Sequence, residues 1–233
     1  MKIALISETA QLIGDPARAN MLLALKEDGE ISASALASVA GVAPSTASGH
    51  LAKLVAAGLV AMRKSGRQRY YSLAGYAVAE ALESIEGVAN TLSGHGLRPA
   101  GLDPACLHAR CCFDHIAGHV GVRICDAMFA RRYLSHMPGG VDLSDAARDW
   151  LETLGVDLAG LEHSPRRLVR LCSDWSMNSL HVGGAVGAAI LDRFLQRDWM
   201  RRTPGSQALR LTPAGQAGLR QGLGLDLSRA PLR

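Results

Sequence analysis

The stretch that decides the fold is APSTASGHLAKLVAAGLV, residues 43–60, continued by AMRKSGRQRYYSL, residues 61–73. Leu51, Leu54 and Val55 recur at i, i+3, i+4, so they gather on one face of a helix. Pro44 suits a first helical position, where its missing N–H is not needed. Gly58 supplies a stop. The period then changes: Leu59–Lys64 and Arg67–Leu73 read as two strands joined through Ser65-Gly66. Arg63, Lys64, Arg67 and Arg69 crowd the tip of that hairpin.

Outward from this stretch, the upstream chain spells two more helices. Asp15-Pro16 is a cap followed by a proline at the first position. Leu22, Leu23 and Leu25 follow, and Asp28-Gly29 ends the helix. Ser32 opens a second helix through Ala40, expected to turn Leu36 and Val39 inward, and Gly41 stops it. Downstream, a helix is expected over about 74–92. Residues 94–103 are rich in Gly and Pro and read as a linker. The expected organisation is 1–93, a linker at 94–103, and a second domain at 104–233.

The composition agrees with a mainly α chain carrying small β-hairpins. Aromatic residues make up only 4% and hydrophobic residues 48%, a balance that favours helix packing over a β-sandwich. No apolar run approaches the roughly 18 residues of a membrane span. The first residues lack the apolar core and cleavage site of a signal peptide. A cytoplasmic location and no membrane partner are expected. Five cysteines, an odd number, argue against a disulfide framework.

Two helices, a short turn and a basic hairpin in this order are the parts of a winged helix-turn-helix, whose second helix enters the major groove of duplex DNA. Ser45, Thr46, Ser48 and His50 stand at the polar start of that helix, within reach of base edges or phosphates. Lys53, Arg63, Lys64, Arg67 and Arg69 make a block, residues 31–79, that contains no Asp or Glu. Such a block suits a polyanion, although charge alone would equally describe a solvated basic face.

Residues 10–92 resemble the arsenic-repressor (ArsR/SmtB) family of winged-helix regulators. The matching text is LIGDPARANMLLAL, then ASALASVAGVAPSTASGHLAKLVAAGLV, then RKSGRQRYYSL. The HLxxLxxAGLV pattern appears at 50–60, and the G-R-x-x-Y-Y wing at 66–71. The resemblance implies a homodimer built from the first helix and the 74–92 helix. It also implies an imperfect palindromic operator and repression relieved by an inducer. The family's usual metal positions carry no soft ligand here: Ser34–Val39 has none, and 74–92 has neither His nor Cys.

From about residue 104 the chain looks like a long-chain subgroup with a C-terminal extension. Its motifs are CxDHxAGxxG and CxDWS…HxxGxxG. The chain also aligns on itself: residues 115–134 match 181–200 without gaps at an offset of 66. Seven of twenty positions are identical, among them His115/His181, Gly118/Gly184, Gly121/Gly187 and Asp126/Asp192. The expectation is a helical domain built from two diverged repeats, each reading helix, turn or hairpin, helix. The paired glycines are expected to let the two long helices approach closely.

Cys112, Asp114, His115, Cys172, Asp174 and His181 fall at equivalent places in the two copies, with Cys111 and His119 nearby. Thiolates and imidazoles suit zinc, copper or arsenic(III). The same residues also fit buried thiols and core histidines, a redox sensor, or an organic-ligand pocket that they line themselves. Trp150, Trp175, Trp199, Phe113, Phe129, Phe194 and Tyr133 fit either the lining of an effector pocket or, as aromatics at helical spacing more often are, plain core. The effector is therefore an unknown small molecule, metal or oxidant, and no cofactor is named. No nucleophile–base–orienter spacing and no phosphate loop points to an enzyme.

Overall fold

A computed structural model describes residues 2–93 and 103–227. The expected linker lies outside the described residues except for Asp103, which caps a helix. The chain divides into two compact units, Met1–Leu82 and Glu83–Arg233. Among the described residues no helix is long and apolar enough to cross a membrane.

The first unit begins with α1 (Lys2–Ile13), a helix the sequence reading does not anticipate. Its apolar residues lack a clean helical stripe, and Ile3, Leu5 and Ile6 are exposed. Asp15 then caps α2 (Pro16–Asp28) by accepting from the Arg18 amide at 2.9 Å. A short β1 (Ile31–Ser32) precedes α3 (Ala33–Val39), which Ser32 caps. Then come α4 (Pro44–Ala56), β2 (Val60–Ser65), β3 (Gln68–Leu73) and the start of α5 (Tyr76–Ser93). The three strands form an antiparallel sheet in the order β1-β3-β2. Lys64 pairs with Arg69 and Ser65 with Gln68, so the turn is two residues long. Gly66 sits there at φ +60, in the left-handed region that glycine enters without steric cost.

The core of this unit is Met21, Leu22, Leu25, Leu36, Leu51 and Leu54, all fully buried. Two sequence expectations fail at its rim. Val39 is 51% exposed, because α3 is short and Leu36 and Ala37 take its buried face. Val55 is 37% exposed, because the buried stripe of α4 runs through Ala47, Leu51 and Leu54, leaving Val55 rotated off it.

The second unit takes in the rest of α5 and then α6 (Pro104–His108). Next come the hairpin β4 (Arg110–Cys112)/β5 (His115–Ala117), α7 (Gly118–Ala130), the hairpin β6 (Leu134–Met137)/β7 (Gly140–Leu143), α8 (Asp145–Thr153) and α9 (Leu158–Glu162). After α9 the order is β8 (Arg170–Asp174)/β9 (Ser179–Gly183), α10 (Gly184–Gln196), β10 (Met200–Arg202)/β11 (Leu209–Leu211) and α11 (Pro213–Leu223). A hairpin, a helix, a hairpin and a helix thus occur twice. Left-handed backbone recurs with them, at Gly118 and Gly184, at Arg132 and Asp198, and at Gly155 and Gly224.

His115 and His181 stand on strands, and each long helix starts at the glycine that follows, Gly118 or Gly184. One expectation changes here: the inner glycines do not bring helix to helix. α7 lies against β9 and α10 against β5, each helix crossing to the hairpin of the other half. A Cβ on Gly121 would sit 2.3 Å from the Ile116 carbonyl oxygen. On Gly187 it would sit 2.5 Å from that of Val182 and 3.2 Å from the His115 Cβ. The glycines therefore let each helix fold back onto the strand that feeds it. Ile116, Ile124, Val182 and Ile190 close the apolar seam beside them.

Candidate functional site

The first candidate surface is the start of α4 with the β2–β3 hairpin. Ala47, Leu51 and Leu54 fix the buried side of α4, which leaves Ser45, Thr46, Ser48 and Lys53 exposed. The Ser48 hydroxyl donates back to the Pro44 carbonyl at 2.9 Å. His50 is less available: its Nδ1 lies 3.3 Å from Arg18 Nη1 and 3.7 Å from Asp15 Oδ1. It ties α4 to the cap of α2. On the hairpin, Lys64, Arg67 and Arg69 are exposed. Arg63 is exposed too, but Glu30 takes its guanidinium with bonds of 2.8 and 2.6 Å, and it lies 5.3 Å over the Tyr70 ring. The Arg63 contact holds the Glu30 carboxyl below its usual range. Neither Arg18 nor Glu30 is marked by the sequence pattern, since both act across about thirty residues.

The second candidate is buried in the second unit. Cys112 and His115 are direct cross-strand partners on β4 and β5, and Cys172 and His181 are direct partners on β8 and β9. Directly opposed residues project from the same face, so each hairpin offers one sulfur and one imidazole together. The two pairs meet, and the four donor atoms lie within 4.8 Å of one another. His115 Nε2 and His181 Nε2 face each other at 3.1 Å. Both imidazoles and Cys172 are buried.

Each imidazole has a carboxylate behind it. His115 Nδ1 lies 3.3 Å from Asp114 Oδ1, and His181 Nδ1 lies 3.5 Å from Asp174 Oδ2. The carboxylates are held in turn. Arg166 donates to both Asp114 oxygens at 2.6 and 2.9 Å. Asp174 accepts from Arg110, the Gly118 amide, and the amide and hydroxyl of Ser176. Burial pushes the Asp174 carboxyl up, but Arg110, His181 and these hydrogen bonds prevail and bring it down to about 2. Glu83 of α5 completes the surroundings. Its Oε1 lies 3.5 Å from Cys112 Sγ and 4.0 Å from His115 Nε2, and Arg170 pairs with it.

The electrostatics split the two histidines. Burial presses His115 down, yet Cys112 and Asp114 outweigh it and raise it to about 9. Burial, followed by the neighbouring His115, drives His181 well below the ordinary range. The adjacent Cys172 sulfur and burial push the Cys112 thiol well up.

Cys111 and His119 do not join this group. Strand alternation turns Cys111 to the opposite side of β4, where its thiol donates to the Phe113 carbonyl at 3.3 Å. His119 stacks on His108 at 6.0 Å. Five of the seven aromatic residues considered for a pocket (Phe129, Tyr133, Trp150, Phe194 and Trp199) pack in or against the core. Tyr133 meets Trp150, and Phe194 meets Trp199. Trp175 lies under Arg110 at 4.1 Å. Glu83, Arg110, Arg166 and Arg170 carry no motif of their own, and only the fold brings them to the centre.

Comparison with known proteins gives three findings. A family model described as a helix-turn-helix domain matches residues 13–63. An uncharacterized HTH-type transcriptional regulator, YdfF of Bacillus subtilis (strain 168), is 31% identical over 222 residues, covering 95% of this chain and 98% of its own. Among solved structures, HlyU from Vibrio cholerae is 28% identical, with a TM-score of 0.35 over 37% of this chain and 94% of its own. A homodimeric winged helix-turn-helix DNA-binding domain from Mycobacterium bovis, a possible ArsR-family regulator, is 28% identical. Its TM-score is 0.37 over 42% of this chain and 90% of its own.

Proposed function

Because this chain belongs to the HTH-type transcriptional regulators, we propose that it is a homodimeric repressor of the ArsR/SmtB winged-helix type. It holds an imperfect palindrome of duplex DNA and releases it when an effector engages residues 83–233. In this reading Ser45, Thr46 and Ser48 meet base edges and phosphates from the start of α4. Lys53, Lys64, Arg67 and Arg69 bind the flanking backbone, where cationic side chains set affinity and salt dependence. His50 and Arg63 are positioning residues, since Arg18 and Glu30 already engage them.

The observation that carries this reading is the exposed polar start of α4 together with a hairpin whose Lys64, Arg67 and Arg69 reach solvent. Self-association is supported by exposed apolar side chains: Ile3, Leu5 and Ile6 on α1, and Ile85, Val88 and Leu92 on α5. Such side chains suit burial against a second copy. The matching element order and left-handed positions in the second unit support a duplication of one hairpin–helix–hairpin–helix module.

The test is footprinting on the DNA upstream of the chain's own gene, with the mass of the complex measured in parallel. Two protected half-sites about one helical turn apart, bound by two chains, are expected. Protection of a single unsymmetric segment by one chain would overturn the dimeric reading. No protection at low salt would overturn DNA binding.

A further inference from the structure

We infer that Cys112, His115, Cys172 and His181 form a closed four-donor site for one zinc-class divalent cation. This inference concerns the second unit alone, so it stands or falls separately from operator binding.

Three independent features lead to it. First, the donors arrive as two equivalent clamps. Each hairpin presents a Cys directly opposite a His, Cys112 with His115 and Cys172 with His181. Two clamps make an S2N2 set, the donor set of tetrahedral zinc. Second, the spacing suits an ion. Zinc–nitrogen bonds of about 2.0–2.1 Å arranged tetrahedrally put two nitrogens roughly 3.3 Å apart, against 3.1 Å between the facing Nε2 atoms. Third, each imidazole turns its Nδ1 to a carboxylate, Asp114 or Asp174. That is the outer-shell arrangement that fixes the ring tautomer and leaves Nε2 as a lone-pair donor to a metal.

The surrounding charges are accounted for without the ion. Asp114 is paired with Arg166, Asp174 with Arg110, and Glu83 with Arg170. The four donors converge on one another, all within 4.8 Å, with the Nε2 atoms of His115 and His181 3.1 Å apart. A metal ion between the facing nitrogens takes the place of the proton that otherwise lets one ring donate to the other. Binding releases to solvent one proton from each thiol and the Nε2 proton that joins the two imidazoles, and the two thiolates cancel the charge of a divalent ion. With both imidazoles supplying Nε2, the set is complete and offers no open position, so the bound ion is held rather than poised for catalysis.

The experiment is cobalt(II) titration of the full-length, metal-stripped protein, followed by back-titration with zinc. One cobalt ion per chain is expected, with a thiolate charge-transfer band and tetrahedral d–d bands that zinc abolishes. Magnesium, which prefers oxygen donors, should leave the bands unchanged. Cys112→Ser and Cys172→Ser should each lose the charge-transfer intensity, while Cys106→Ser, outside the site, keeps it. Asp114→Asn, altering a positioning residue, should weaken cobalt binding about tenfold or more with the band shape retained.

Should the Ser variants fail to fold, alkylation of the wild-type protein provides the reading. Cys112 and Cys172 should be protected with zinc bound and modified after chelation. Absence of a charge-transfer band, the same alkylation pattern with and without zinc, or recovery of Cys112 and Cys172 as a disulfide that excludes metal would each overturn the inference.

Discussion

The two candidate sites solve opposite problems. The α4–wing surface is made of side chains held in water, ready to exchange solvent for a polyanion. The hairpin centre is made of side chains removed from water, each of which must find a partner inside the second unit. An exposed site tolerates change in its supports and responds to salt. A buried one fails when any support is removed and is nearly indifferent to salt.

The sharpest way to break this contrast is to remove one carboxylate from each region. Asp174→Ala would leave Arg110 buried without its partner, and Arg110 has only 3% of its side chain exposed. A loss of about 4 kcal/mol in unfolding free energy is expected in denaturant titration. Glu30→Ala would free an exposed Arg63, and the same titration should show no resolvable change. Comparable losses in the two variants would erase the distinction.

A second contrast uses one substitution in two places. Gly187→Ala forces a Cβ to 2.5 Å from a backbone oxygen that cannot move aside cheaply. It should cost about 3 kcal/mol, read as a drop in Tm. Gly49→Ala enters open space on α4 and should raise stability by about 0.5–1 kcal/mol, since alanine favours the helix. A stabilising Gly187→Ala would mean that α10 and β9 are less closely packed than described.

How far these sites could be read in advance also differs between them. The α4 helix, its neighbours and the wing follow from patterns a few residues long: the Asp15-Pro16 cap, the Leu51–Leu54 stripe and the Gly66 turn. Local chemistry decides each. Glu30 and Arg18 escape because their contacts span about thirty residues. In the second half, the self-alignment at an offset of 66 brings His115 and His181 into correspondence, and the Cys-x-Asp text at 112–114 and 172–174 singles out both cysteines. It does not yield the register that sets Cys112 opposite His115 and Cys172 opposite His181. The second hairpin is longer, so its cysteine falls out of the alignment. A three-residue strand such as His115–Ala117 is also too short to show alternation in the sequence. Glu83, Arg110, Arg166 and Arg170 become visible only when distant strands are brought together.

The smallest difference is within the wing itself. Glu30 already engages Arg63, whereas Arg67 and Arg69 stand in solvent, so the three arginines should contribute unequally to DNA affinity. The central claim, that this wing and the start of α4 hold duplex DNA, is tested most directly by fluorescence anisotropy on the footprinted fragment across a salt series. The wild-type association constant should fall linearly with salt on logarithmic axes. The Arg67→Ala/Arg69→Ala double variant should lose about 2 from that slope, and Arg63→Ala should run close to the wild type. Identical slopes for the wild type and the double variant would contradict the account.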